Sequence, residues 1–362
     1  MSVSEGNLSV SRPSRIESIS GIKALALMLV FIWHTGVIKA PDLGARMCEL
    51  FFVCSGVLEA INHHGKYEYT MEETVSIIKR KLARIYPLYI VSFLLAALLG
   101  ALGLLKWTIS ANTTAALLNL LMMQSWFTEL RFSFDGVSWF IADLMLCYLI
   151  SPLLSYCIRF RETSESSTSL SSYLFPLGFL FFVRMLLQVA EYKGVIGISN
   201  HTFPVSRVLE YGMAFVAGCA ILARGGGISE TLTTSGLRVI DSFVEVASIV
   251  LYVIVVFVLN DVWWSRPVCT VIGILLVCSF VLCRGMISKF LALKPFVMFA
   301  ALQMPFYLFH QLVLTAVIPL SGYCCFEHCW MVFAFLVTLA ISYLWTWVGK
   351  RQIDAARKKR ES

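Results

Sequence analysis

Two histidines lie inside apolar stretches of this 362-residue chain. Ionisable groups at such positions are costly and usually face an internal cavity. His34 comes late in the apolar run at 20–38, and His310 past the middle of the run at 297–319. An imidazole is the natural proton acceptor at neutral pH. His34 follows Lys23 by eleven residues, close to three helical turns or about 16 Å along one face. Lys23, Leu27, Val30 and His34 therefore share a stripe, with a cation near one membrane surface and a base deeper in. That spacing suits a substrate whose anionic end is held at Lys23 while its reactive end reaches His34. Asp143, Arg184, Arg207 and Glu210 are further ionisable groups in or at the edge of apolar runs. Each reads either as part of a functional cavity or as a structural tie between helices.

A second basic group lies in "IIKRKLARIYPLY", where Lys79, Arg80, Lys81 and Arg84 fall within two turns before Pro87. Lys81 and Arg84 are three residues apart and share a helix face. They could bind phosphates, or anchor the helix among anionic lipid headgroups.

The elements that hold these residues are transmembrane helices. Apolar residues make up 58% of the chain and charged residues 14%, against about 25% charged in ordinary globular domains. Ten spans of about 20 residues would use nearly the whole apolar supply. A soluble enzyme, a disordered chain and a secreted disulfide scaffold are excluded as readings. A β-barrel is excluded because the runs are continuous instead of alternating. Apolar runs fall near 20–38, 46–62, 85–105, 113–127, 137–158, 173–190, 207–223, 242–260, 267–284, 297–319 and 329–349. The run at 113–127 is the shortest and carries Asn119, Gln124 and Ser125, so it is a full span or a re-entrant or interfacial segment.

Basic residues decide between these. With 113–127 not crossing, ten helices place 21 basic residues on the side of both termini, 6 on the other side (Arg46 among them), and Arg184 and Arg207 in spans, which accounts for all 29. Positive residues stay cytoplasmic, so both termini are expected inside. The chain is thus expected to be all-α and polytopic, with a cytoplasmic segment at 1–19, a membrane domain at 20–349 and a basic tail at 350–362. The same topology places His34, Asp143, Arg184, Arg207, Glu210 and His310 in the outer half of the bilayer, as if around one cavity open to the outside. The net charge of +7 reports topology, not nucleic-acid binding. The N-terminal stretch lacks a signal-peptide core, so the first helix serves for targeting. The cluster Cys324, Cys325, His328 and Cys329 fits no standard zinc spacing and reads as structural or disulfide-forming. No metal site is expected.

At this point the sequence resembles acyltransferase family 3, membrane proteins that transfer acyl groups, most often acetyl, to carbohydrates beyond the cytoplasmic membrane. The likeness runs from about 15 to 349. "RIESISGIKALALMLVFIWHTG" is similar to the family's first helix, with Lys23 and His34 matching its basic residue and histidine. "CELFFVCSGVLEA" resembles the aromatic pair followed by Ser-Gly, here Phe51, Phe52, Ser55 and Gly56. "RKLARIYPLY" resembles an Arg-x-x-Arg-Ile-x-Pro-x-Tyr element, with Lys81 in place of the first arginine. That replacement turns a bidentate phosphate contact into a point-charge contact. Trp139, Tyr148 and Pro152 resemble a later element, as do "FPVSRVLEYGMAFVAG" and "MPFYLFHQLVL" with Tyr307, Leu308 and His310. Many members carry glutamate five residues after the tryptophan, where this chain has Leu144 with Asp143 beside it.

The resemblance implies acyl-CoA, most often acetyl-CoA, as co-substrate, with no permanently bound cofactor. It implies Lys23, Lys81 and Arg84 at the CoA phosphates and His34 as general base, with an acyl-histidine as the second route. Ser55 is a candidate oxyanion donor or acyl carrier, or a packing residue in a small-residue helix contact. Asp143, Arg207, Glu210 and His310 are candidates on the acceptor side. The expected partners are acyl-CoA, a carbohydrate outside the cytoplasm and the lipid bilayer, in a bacterial cytoplasmic membrane. The alternative is a transporter or flippase of a glycan or lipid-linked sugar, which would bind the sugar and release no CoA.

Overall fold

The computed structural model describes residues 16–40, 42–64, 70–105, 112–164, 171–223, 235–281, 285–319 and 328–361. Among them the regular elements are all helical, as the continuous apolar runs predict. In chain order they are α1 (Glu17–His34), α2 (Leu43–His63), α3 (Met71–Ala101), α4 (Thr113–Leu120), α5 (Trp139–Ser164), α6 (Ser171–Tyr192), α7 (Pro204–Ala223), α8 (Ser235–Phe257), α9 (Ser265–Val281), α10 (Met286–Leu291), α11 (Lys294–Ala301), α12 (Gln303–Val317) and α13 (Cys329–Glu361). Seven of the described helices are long and apolar enough to cross a membrane: α1, α3, α5, α6, α7, α8 and α13. Their outward faces are apolar. On α6, Phe175, Phe179, Phe182 and Leu186 form an exposed stripe at helical spacing, the kind of face hydrocarbon covers.

Three further apolar runs depart from the simple pattern. α2 carries Arg46, Glu49 and Glu59, which lower its hydropathy, yet all three are buried inside the bundle. Arg46, expected in an outer loop, is therefore an interior residue of a helix. α9 is 17 residues long. The run at 297–319 is broken into α11 and α12, bent by 69°. Pro305 in the first turn of α12 has no N–H for the Ala301 carbonyl, so the helical ladder cannot continue through that point.

The run at 113–127 does not form a span. Its helix α4 has eight residues, about 12 Å, far short of a bilayer core. Its polar residues hold it against the bundle. The Tyr89 hydroxyl donates to the Asn119 carbonyl (2.9 Å) and the Tyr86 hydroxyl to the Leu120 carbonyl (2.9 Å). Asn119 Nδ2 donates to Ser133 Oγ (2.7 Å), and Gln124 Nε2 to Tyr89 Oη (3.0 Å) and Ser138 Oγ (3.2 Å). These bonds tie irregular backbone to the bundle, the setting in which non-helical backbone is tolerated in a membrane protein. They also fix the approach to α5, which bears on the site.

The most extensive helix contact is between α2 and α7. A Cβ on Gly56 would collide with the Tyr211 carbonyl and the Ala214 side chain, and one on Gly218 with Ala60 and Val57. Positions rise together along both helices, so α2 and α7 run parallel. Small residues let two backbones approach in this way. Ser55, beside Gly56, is buried in the same stretch. Around this pair the core is aromatic: Phe52 and Phe140 lie 4.8 Å apart between ring centroids, Phe140 and Tyr307 4.8 Å, and Phe31 and Phe335 5.4 Å.

Candidate active site

A cavity of about 320 Å³ opens at one end of the bundle. Its wall comes from the end of α1 (Trp33, His34), the start of α2 (Gly44, Ala45, Cys48), the segment entering α5 (Phe132, Gly136, Val137, Trp139), His201 before α7, and Tyr307 and Gln311 on α12. Several wall residues are held from behind. Trp33 Nε1 donates to the Ala40 carbonyl (3.0 Å), and its ring lies where a Cβ on Gly44 would be. Ser92 donates to the Asp135 carboxyl, whose other oxygen accepts from the Val137 amide (3.4 Å), which pins the Gly136–Val137 wall to α3. Tyr307 Oη and Cys48 Sγ are 3.6 Å apart.

His34 is the last residue of α1 and lines this cavity. Leu27 and Val30, on its stripe, are fully buried, so the predicted face does point inward. His34 Nδ1 lies 2.9 Å from the Val30 carbonyl and 3.2 Å from His310 Nε2. His310 Nδ1 lies 2.6 Å from the Tyr307 carbonyl. A carbonyl only accepts, so Nδ1 of His310 carries its proton and Nε2 its lone pair. The proton between the two rings is then on His34 Nδ1, shared with the Val30 carbonyl. A neutral imidazole has one N–H, so Nε2 of His34 is the basic nitrogen. Backbone geometry thus sets both tautomers and leaves a base at the cavity wall.

The expected ring of ionisable groups around one cavity is only partly present. His310, Asp143, Arg184, Arg207 and Glu210 are fully buried and do not line the described wall. The charged residues instead form a ladder behind it. Arg46 lies 3.4 Å from Glu49, Glu49 3.6 Å from Arg207, Arg207 pairs with Glu210, and Glu210 lies 3.0 Å from Arg184. Arg46 also donates to Ser265 Oγ (2.7 Å), and Arg184 to Gln188 Oε1 (3.1 Å). Charges alternate along the chain of five, which leaves one positive charge over. Asp143 is buried beside Ser125 within the field of Arg207. Arg207 reaches the cavity indirectly. Its Nε donates to the His201 carbonyl (2.8 Å), and its guanidinium lies 5.9 Å from the Trp139 ring centroid. His201 and Trp139 meet edge to face at 4.7 Å. The ladder therefore holds two wall residues.

The basic group of α3 lies elsewhere. Lys81 pairs with Glu59 of α2 and sits 4.0 Å over the Tyr148 ring, while Arg84 is exposed. Glu59 also accepts from Ser151 (3.3 Å). Lys81 thus has a resident carboxylate partner, and only Arg84 of the two is open to a ligand. Ser55 is absent from the cavity wall. Cys324 and Cys325 lie outside the described residues, and Cys329 is an exposed free thiol. Among the described residues no three potential ligands gather as a metal site.

Arg46, Glu49, His201 and Gln311 did not emerge from the sequence. One signal was available for two of them. "RMCE" at 46–49 and "RVLE" at 207–210 are the same Arg-x-x-Glu spacing, and the parallel α2–α7 pair brings them together.

The fold and site define a class: a multi-pass helical membrane protein with a histidine at a cavity wall, a second histidine bonded behind it and a buried ion ladder. Residues 16–347 match the acyltransferase domain of acyltransferase family 3, and the chain belongs to that family. The acyltransferase MdmB of Streptomyces mycarofaciens is 26% identical over 165 residues, covering 41% of each chain. The match thus spans less than half of that relative. No solved structure matches the chain.

Proposed function

We propose that the protein transfers an acyl group, acetyl in the simplest case, from cytoplasmic acyl-CoA to a hydroxyl of a carbohydrate outside the membrane, with His34 as general base. The observation that carries this reading is the His310–His34 relay at the wall of a cavity. His34 Nε2 takes the hydroxyl proton as the oxygen attacks the thioester carbonyl. The new imidazolium is stabilised through Nδ1–H by the Val30 carbonyl and His310 Nε2. Collapse of the tetrahedral oxyanion forms the ester and expels the CoA thiolate, which receives the proton from His34.

The proposed topology has ten crossings and cytoplasmic termini. The seven long apolar helices, the bent α11–α12 pair, α2 and α9 supply the ten. The parallel run of α2 and α7 agrees, since three crossings separate them in this scheme. Moving Arg46 into the bundle leaves 21 basic residues inside and 5 outside, which sharpens the asymmetry. The cavity then faces outward, and the Lys81–Arg84 end faces the cytoplasm. Arg84, with Lys23, is the proposed phosphate contact; Lys81 joins only by leaving Glu59.

The test uses purified protein in vesicles with acetyl-CoA and a glycan acceptor. His34→Ala should lower transfer by about 10²- to 10⁴-fold, the usual share of general base catalysis. Full activity at normal expression would remove His34 from this role. Arg84→Ala should raise the KM for acetyl-CoA; an unchanged KM makes the basic cluster a lipid anchor.

A further inference from the structure

One polar atom of the cavity has no partner within the protein. Gln311 Oε1 is buried and accepts no hydrogen bond. Gln311 lines the cavity that His34 lines, one residue after His310 on α12. Buried polar atoms are almost always paired, so an unpaired one in a cavity wall calls for an explanation. The wall opposite is shaped around this amide. A Cβ on Gly136 would stand 2.8 Å from Oε1, so glycine there leaves the amide its place. The other surfaces nearby are the apolar faces of Trp33, Phe132, Trp139 and Tyr307. Few polar groups among apolar and aromatic walls fix the orientation of a bound molecule.

We propose that Gln311 is a specificity-determining residue, whose amide hydrogen-bonds one hydroxyl of the acceptor and so selects which hydroxyl meets His34. This rests on the acyl-transfer reading above. A site built to bond a hydroxyl rejects the analogue lacking it, because the protein group is then left buried and unpaired. With Gln311 and His34 lining one cavity of about 320 Å³, the bonded hydroxyl and the attacking one belong to one small polyol, and the amide sets the regiochemistry.

The probes are methyl hexopyranosides, each with one hydroxyl replaced by hydrogen, offered with acetyl-CoA to the full-length protein in vesicles. The wild type should lose about 10- to 100-fold in kcat/KM at the position that Gln311 reads, beyond the hydroxyl that is acylated. In Gln311→Met, of similar length but without an amide, parent and deoxy sugar should react at nearly equal rates. Gly136→Ala, which displaces the amide from the opposite wall, should give the same levelling and serves where Gln311→Met does not fold. Identical parent-to-deoxy ratios in wild type and variants at every position would overturn the assignment. Transfer by the wild type to none of the parent glycosides would strike the sugar-acceptor reading and this inference with it. Transfer that survives His34→Ala but keeps the Gln311-dependent ratio would remove only the base.

Discussion

His310 Nε2 faces His34 Nδ1 at 3.2 Å across 276 positions of sequence. Because the Tyr307 carbonyl accepts from the other nitrogen of His310, the contact has one direction: His34 donates and His310 accepts. In the proposed mechanism His310 is a positioning residue. His310→Ala should lower kcat by about 10- to 100-fold, less than His34→Ala, with little change in the KM for acetyl-CoA. His310→Gln, whose amide oxygen can accept the same hydrogen bond, should recover part of the loss. Steady-state kinetics of CoA release decides it; equal rates in His310→Ala and wild type would make the contact packing alone.

The ion ladder predicts a stability effect. Removing Glu210 leaves Arg184 charged and buried without its carboxylate, and stranding a buried charge in this way costs about 3–5 kcal/mol. Glu210→Gln should therefore lower the melting temperature in detergent sharply. Arg207→Lys should lower it too, since Arg207 bonds the His201 carbonyl and Glu210 through separate nitrogens of its planar fork. The double variant Glu210→Gln with Arg184→Met should be milder than Glu210→Gln alone, because it removes the stranded guanidinium and leaves Glu49 between Arg46 and Arg207, a result that additive surface charges would not produce.

The α2–α7 contact predicts another. Gly56→Ala places a methyl against the Tyr211 carbonyl, backbone that cannot move aside cheaply. A loss of about 1–3 kcal/mol is expected. Gly178, with nothing near its absent Cβ, is the control, and Gly178→Ala should leave the melting temperature unchanged or raise it.

His201 sets a pH dependence. Burial, then the nearby guanidiniums of Arg207, Arg266, Arg131 and Arg46, hold its pKa well below the ordinary 6.5. Arg207 Nη2 meets its Nδ1 at 3.2 Å, a contact that only the neutral ring can accept. As pH falls below about 6.5, the unfolded chain binds a proton that the folded chain refuses, so stability present above that value is lost. Melting temperatures from pH 8 to 5.5 should fall, and His201→Gln should flatten the slope. An equal slope in both proteins would assign the acid sensitivity to other groups.

Much of the fold was legible because hydrophobicity is a local quantity. A run of 20 apolar residues reads as a span wherever it occurs, and His34, His310, Arg207 and Glu210 stood out by being polar inside such runs. α4 was legible as an exception for the same reason, through Asn119 and Gln124. Arg46 was misplaced because a charge near a helix start looks like a loop residue. Only its pairing with Glu49 and Ser265 makes burial tolerable.

By itself, then, the sequence determined a helical membrane protein and which polar residues it commits to the interior. The tertiary structure decided what those residues do together. It divided six expected cavity groups into one at the wall, one relay behind it and four in or beside an ion ladder. The physical reason is that burying a residue depends on its own transfer energy, whereas pairing depends on which helices lie side by side. Gly56 and Gly218 bring α2 against α7, and the break before α12 sets the course of the helix that carries His310 toward His34. Both contacts join residues too far apart in the chain for any spacing rule to connect.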